Sequence, residues 1–109
     1  MKKITVLILM TTVVFNTAMA GVCGVNSCNG KTNLLYVNPN TKIYVKVDAD
    51  TSPLNCTLVN GSMTLLKTNP MQSEIYSMLL SANLADREVK LRIKDNSGIC
   101  ELLYVQLLP

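Results

Sequence analysis

Between residues 71 and 94 the apolar pattern changes period. Met71, Ile75, Met78, Leu79 and Ala82 recur at helical spacing, and a few residues later Val89, Leu91 and Ile93 alternate strictly with Lys90, Arg92 and Lys94. The first pattern predicts a helix over 71–85 whose single stripe, methionines included, packs as core against a sheet. The second predicts a strand over 88–94 with one apolar and one wet face. Asn69-Pro70 marks the helix start, with Asn as N-cap and Pro at the first helical position, where no N–H is needed. Alternation returns at 43–47, where Ile43, Val45 and Val47 oppose Tyr44 and Lys46. With the β-prone run 34–37 and the turn-forming Asn38-Pro39-Asn40 between them, these read as a hairpin. A second hairpin is predicted from 56–59 and 62–66 around Asn60-Gly61, the dipeptide suited to a type I′ turn.

Residues 99–108 are apolar on both faces, with Ile99, Leu103, Val105 and Leu107 on one and Cys100, Leu102, Tyr104 and Leu108 on the other. Such a strand needs cover on both sides, and one helix covers only one. The second face is a candidate subunit interface.

Met1-Lys2-Lys3, the apolar run 4–15 and the small residues of Ala18-Met19-Ala20 have the layout of a secretory leader cleaved after residue 20. The run is shorter than the roughly 20 residues that span a bilayer, so no membrane insertion is expected. The expectation is a signal peptide over 1–20 and a single domain over 21–109, exported to the periplasm or beyond. Without Lys2 and Lys3 the formal charge falls from +3 to +1, too little for a nucleic-acid footprint.

A domain this small has a thin stability margin from its core alone. Its four cysteines, Cys23, Cys28, Cys56 and Cys100, are an even number in an oxidising compartment and predict two disulfides. Three connectivities are open. Cys23–Cys28 would close a short Gly/Asn/Ser loop and Cys56–Cys100 the long helix-strand block, and this pairing is the one expected. The sequence has no histidine and no paired C-x-x-C units, so no metal site is expected. Nor are catalytic residues or a cofactor: a histidine base is missing, the acids form no pair on one element, and no Gly-rich phosphate loop appears.

The order strand, strand, strand pair, helix, strand, strand predicts a mainly β chain with one helix. It matches a small OB-fold, a five-stranded Greek-key barrel with the helix between strands 3 and 4. A flatter α+β sheet is the alternative.

The stretches 31–36 (Lys-Thr-Asn-Leu-Leu-Tyr) and 50–56 (Asp-Thr-Ser-Pro-Leu-Asn-Cys), with the helix-strand block 73–93 closing at Cys100, resemble the B subunits of the subtilase cytotoxin, typhoid and pertussis-like toxin group. The resemblance implies an exported OB-fold protein that forms homopentamers, binds host glycoconjugates, often sialylated, and carries a separate enzymatic A subunit. In the sialic-acid-binding members a tyrosine-rich segment after a Thr-Asn pair ends in a serine that holds the sugar carboxylate. Thr32, Asn33 and Tyr36 match that segment. Leu35 replaces a neighbouring aromatic, and Val37 stands at the serine position, where it donates no hydrogen bond.

A sugar site needs an aromatic face and a few fixed donors and acceptors. The candidates are Asn33, Tyr36 and Asn38 of the first hairpin, Asn60 and Ser62 beside the Asn-Gly turn, and Lys46 or Lys67 for an acidic sugar. Each has an ordinary reading as a turn or surface residue. The competing function is a small secreted or periplasmic structural or interaction protein of the same fold without a sugar site, from which a pentamer differs most plainly in mass.

Overall fold

A computed structural model describes residues 21–109, and the expected leader lies outside the described residues. Among the described residues the chain is mainly β with one helix. Its elements are β1 (Gly21–Cys23), β2 (Ser27–Gly30), β3 (Thr32–Val37), β4 (Ile43–Val47), β5 (Ala49–Asp50), β6 (Met63–Leu65), α1 (Gln72–Leu84), β7 (Val89–Ile93) and β8 (Leu102–Leu107). They form a five-stranded sheet of order β5-β1-β2-β7-β8 and a three-stranded sheet of order β3-β4-β6.

Alternation in sequence becomes alternation in burial. Ile43, Val45 and Val47 are buried while Tyr44 and Lys46 are half-exposed, and Val89, Leu91 and Ile93 are all fully buried. The inner faces of the two sheets share one core with Met63, Leu65 and Leu102, and α1 adds Ile75, Leu79 and Ala82.

The sheets are joined where β2 runs into β3 through Lys31. Gly30 stands at this bend, where a Cβ would lie 3.1 Å from Val47 Cγ2 and 3.3 Å from the Asp48 carbonyl oxygen. The close approach of the two backbones favours glycine, and the Asp48 N–H donates across the bend to the Lys31 carbonyl at 2.8 Å. At the far edges the ladder contact is one parallel bridge between Thr64 and Glu101, with the Thr64 N–H donating to the Cys100 carbonyl at 3.2 Å. No continuous ladder closes the sheets on each other.

The first hairpin forms as expected, β3 pairing antiparallel with β4. The second forms only its turn. Val59 and Ser62 make a single antiparallel bridge, and 56–59 is not a strand. β6 pairs instead with β4, Ile43 opposite Leu65 and Val45 opposite Met63, because all three β6 residues are buried there. Cys56 is meanwhile drawn to Ser97 and Cys100.

The helix begins later than predicted. Its N-cap is Met71, with no side-chain cap bond, so Pro70 precedes the helix and does not open it. Asn69 closes an Asx turn, its Oδ1 accepting the Met71 N–H at 2.9 Å while its Nδ2 donates to the Leu103 carbonyl at 3.0 Å. The apolar stripe also divides. Ile75, Leu79 and Ala82 are buried, whereas Met71 is 52% and Met78 39% exposed, so these methionines are surface and not core.

The parity of β8 is altered by a bulge. Ile93 pairs with Leu102 and Arg92 with Tyr104, which leaves Leu103 as the extra residue. Leu102 and Val105 thereby share the inward face, and Tyr104 turns to the face of Arg92.

Both disulfides have the expected pairing, Cys23–Cys28 and Cys56–Cys100. The first joins directly opposed residues of β1 and β2. The second ties the segment before β6 to the start of β8, and Cys100 is fully buried. By the loop-entropy relation, Cys56→Ser/Cys100→Ser is expected to lose about 4 kcal/mol of unfolding free energy and Cys23→Ser/Cys28→Ser about 2 kcal/mol, measured by urea denaturation.

Candidate functional site

The register of the first hairpin places Leu34 opposite Lys46 and Tyr36 opposite Tyr44. Since Ile43, Val45 and Val47 face the core, Tyr44 and Lys46 face outward, and their partners share that side. The rings of Tyr36 and Tyr44 are stacked, with centroids 6.0 Å apart and planes at 25°. Cross-strand aromatic pairs of this kind stabilise a sheet and present a broad flat face.

Next to this face sits the Asn-Gly turn. Asn60 (φ 49°) and Gly61 (φ 78°) are both left-handed, as a type I′ turn requires, and Val59 and Ser62 exchange both backbone hydrogen bonds, at 3.0 and 2.9 Å. Lys46 reaches across the turn, so that a Cβ on Gly61 would stand 3.7 Å from Lys46 Cε and 3.9 Å from Nζ. A groove of about 310 Å³ results, to which β3 and its loop contribute Leu34, Tyr36 and Asn38, β4 contributes Tyr44 and Lys46, and the turn contributes Val59, Asn60 and Ser62.

Five of the seven sequence candidates, Tyr36, Asn38, Lys46, Asn60 and Ser62, therefore meet in one groove, with Lys46 as its cation. Asn33 and Lys67 do not line it. Asn33 is the extra residue of a β-bulge between Thr32 and Leu34, and Lys67 is exposed in the connection from β6 to α1. Val37, at the position where the resembled family has serine, is exposed at the end of β3 opposite Ile43 and is not part of the lining. Tyr44, Leu34 and Val59 were not among the candidates. Alternation assigns Tyr44 to a face, but only strand register makes it the partner of Tyr36.

The groove's polar groups are partly committed. Asn38 Oδ1 accepts the Asn40 N–H at 2.8 Å, which leaves the amide N–H groups free to donate. Ser62 is 4% exposed. No acidic residue lines the groove, and the one salt bridge among the described residues, Lys31 with Asp86 at 3.0 Å, lies elsewhere, so Lys46 sets a positive sign. An aromatic face, amides, a hydroxyl and one ammonium suit a ring with one apolar side, several hydroxyls and an anionic substituent. Among the described residues no cluster of potential metal ligands occurs, and no helix is long and apolar enough to cross a membrane.

A smaller groove of about 210 Å³ lies between α1 and β8, where Met71, Ile75 and Met78 face Leu103, Tyr104 and Val105, with Glu74 at its side. It adjoins β8, the edge strand of the five-stranded sheet.

Comparison with protein-family models, with curated proteins and with solved structures finds no match.

Because Gly61 is left-handed, Gly61→Ala is expected to cost about 1 kcal/mol. Chemical denaturation is the measurement, and an unchanged midpoint would contradict the strained turn.

Proposed function

We propose that the chain is an exported OB-fold protein that acts as the glycan-binding B subunit of an AB-type bacterial toxin, assembled as a homopentameric ring that binds host cell-surface sugars and delivers a separate catalytic A subunit. The observation that carries this reading is the convergence of Tyr36, Asn38, Asn60 and Ser62, selected for sugar chemistry, on one groove with Tyr44 and Lys46.

The strand pairings support the OB reading when the bent β2-β3 stretch is taken as one strand shared by both sheets. The order is then β2-β3, β4, β6, α1, β7, β8. The shared strand pairs with β4 and with β7, β6 with β4, and β8 with β7, while β6 and β8 meet at the parallel Thr64–Glu101 bridge. These pairings support a five-stranded Greek-key arrangement with its helix between the third and fourth strands.

Export is supported by the leader pattern and by two disulfides. Ring assembly is supported by the unpaired edge of β8 and by the exposed Met71, Met78, Leu103 and Tyr104 beside it, an apolar surface of the kind that subunit contacts cover. The ring's mechanism is multivalency: weak single-site binding becomes strong when several identical grooves face one cell surface. With Val37 in place of the family's serine, Lys46 is the group that receives an anionic substituent.

Size exclusion with light scattering on the mature chain is expected to give the mass of a pentamer, and a monomer would favour the structural or interaction protein of the same fold. On a glycan array the protein should show saturable binding, weakened about tenfold or more by Tyr36→Ala, a loss of the order carried by a single aromatic contact. Binding that survives both Tyr36→Ala and Lys46→Gln would remove the groove from the reading.

A further inference from the structure

The outer face of the five-stranded sheet carries a second set of chemistry-bearing residues. Arg92 on β7 stands between Ser27 of β2 and Tyr104 of β8, and two residues away Lys90 stands between Asn29 and Gln106. These cross-strand rows put two cations about 6.6 Å apart along one strand, flanked by amides, a hydroxyl and an aromatic ring. No acid stands opposite either cation. The nearest acids by position are Glu88, two residues before Lys90, and Glu101, whose carbonyl accepts the Lys94 N–H at 2.9 Å, while Asp50 ends the Lys90 row on β5, three strands away beyond Asn29 and Val22. Neither Lys90, Arg92 nor Lys94 takes part in a salt bridge, and Arg92 Nε is buried without a hydrogen-bond partner. Unpaired cations on a sheet face otherwise repel one another, and an anionic ligand relieves that repulsion.

We propose that this face, on the opposite sheet from the tyrosine groove, is a second binding site for an acidic polysaccharide bearing sulfate or carboxylate groups. Arg92 receives one anionic group through the fork of its guanidinium, Lys90 receives the next as a point charge, and Asn29, Ser27 and Gln106 bond the hydroxyls between them. Nucleic acid is the poorer fit, since residues 21–109 carry a formal charge of only +1. A membrane surface is poorer as well. Val22, opposite Asn29, is the one aliphatic side chain in these rows, whereas interfacial binding calls for a broad apolar face.

The test uses the mature, disulfide-bonded chain and heparin as the sulfated probe. Immobilised heparin is expected to retain the protein at low salt while neutral dextran does not, with retention falling as salt rises. Lys90→Gln/Arg92→Gln should weaken heparin affinity about tenfold or more, as loss of paired charges at an interface does. Arg92→Lys, which keeps the charge and loses the fork, should fall between the two. The charge-matched control Lys42→Gln/Lys67→Gln, away from this face, should bind as the parent does. Should the double variant fail to fold, Lys90→Gln alone must still lower retention while keeping the parent's melting temperature. The proposal is overturned by absence of retention, by an equal loss in the control, or by tighter binding to phosphatidylglycerol vesicles or duplex DNA than to heparin.

Discussion

The chain's change of sheet between Gly30 and Thr32 is the constraint on which the rest of the structure depends. One bent stretch pairs on its first half with β7 and on its second half with β4, so the inner faces of both sheets are turned onto a single core. The bend demands that β2 pass within contact distance of the end of β4, which the missing side chain of Gly30 permits. Everything apolar follows from that arrangement. Val45 and Leu65 reach the core from one sheet, Val89, Leu91 and Ile93 from the other, and Leu79 of the helix covers the opening between them. Because the far edges meet at one bridge only, the Cys56–Cys100 disulfide supplies at that side what hydrogen bonding does not.

The tyrosine groove sits on the outer face of the three-stranded sheet and inherits its rigidity. Its aromatic pair is fixed by the register of β3 with β4, and its polar rim by a type I′ turn whose two central residues are held by paired backbone bonds. The loop that carries Asn38 is also tied to the helix, where Gln72 Nε2 donates to the Thr41 carbonyl at 2.9 Å. Thr41 has φ 70°, an unfavourable value for a β-branched residue, and this contact from the helix start helps to hold it. A site built from strands and a tight turn keeps its groups in place before a ligand arrives, which lowers the ordering cost of binding.

The molecule separates its surfaces by chemistry. The three-stranded sheet offers an aromatic groove with one cation, the five-stranded sheet a polar face with two, and the edge between α1 and β8 an apolar strip with exposed methionines. In a domain whose core is small, two disulfides allow such apolar groups to remain outside without loss of the fold. The bulge at Leu103 contributes to this division, since without it Tyr104 would share the inward side with Leu102.

Local pattern was sufficient wherever a residue's fate depended on its near neighbours. Alternation alone decided the inner and outer faces of 43–47 and 89–93, Asn60-Gly61 decided its own turn, and the short Cys23–Cys28 loop formed as its spacing suggests. Where partners lie far apart in sequence, the tertiary structure decided. It gave β6 to β4 instead of to 56–59, shifted the helix start past Pro70 because Asn69 bonds β8, and left Met71 and Met78 outside because the sheet covers only the Ile75, Leu79 and Ala82 side of the helix. The site divides in the same way. Tyr36, Asn38, Asn60 and Ser62 were legible as residue types suited to sugars, whereas the inclusion of Tyr44 and the exclusion of Asn33 and Lys67 were not. Periodicity specifies which way a side chain faces, and only register and strand pairing specify what stands beside it.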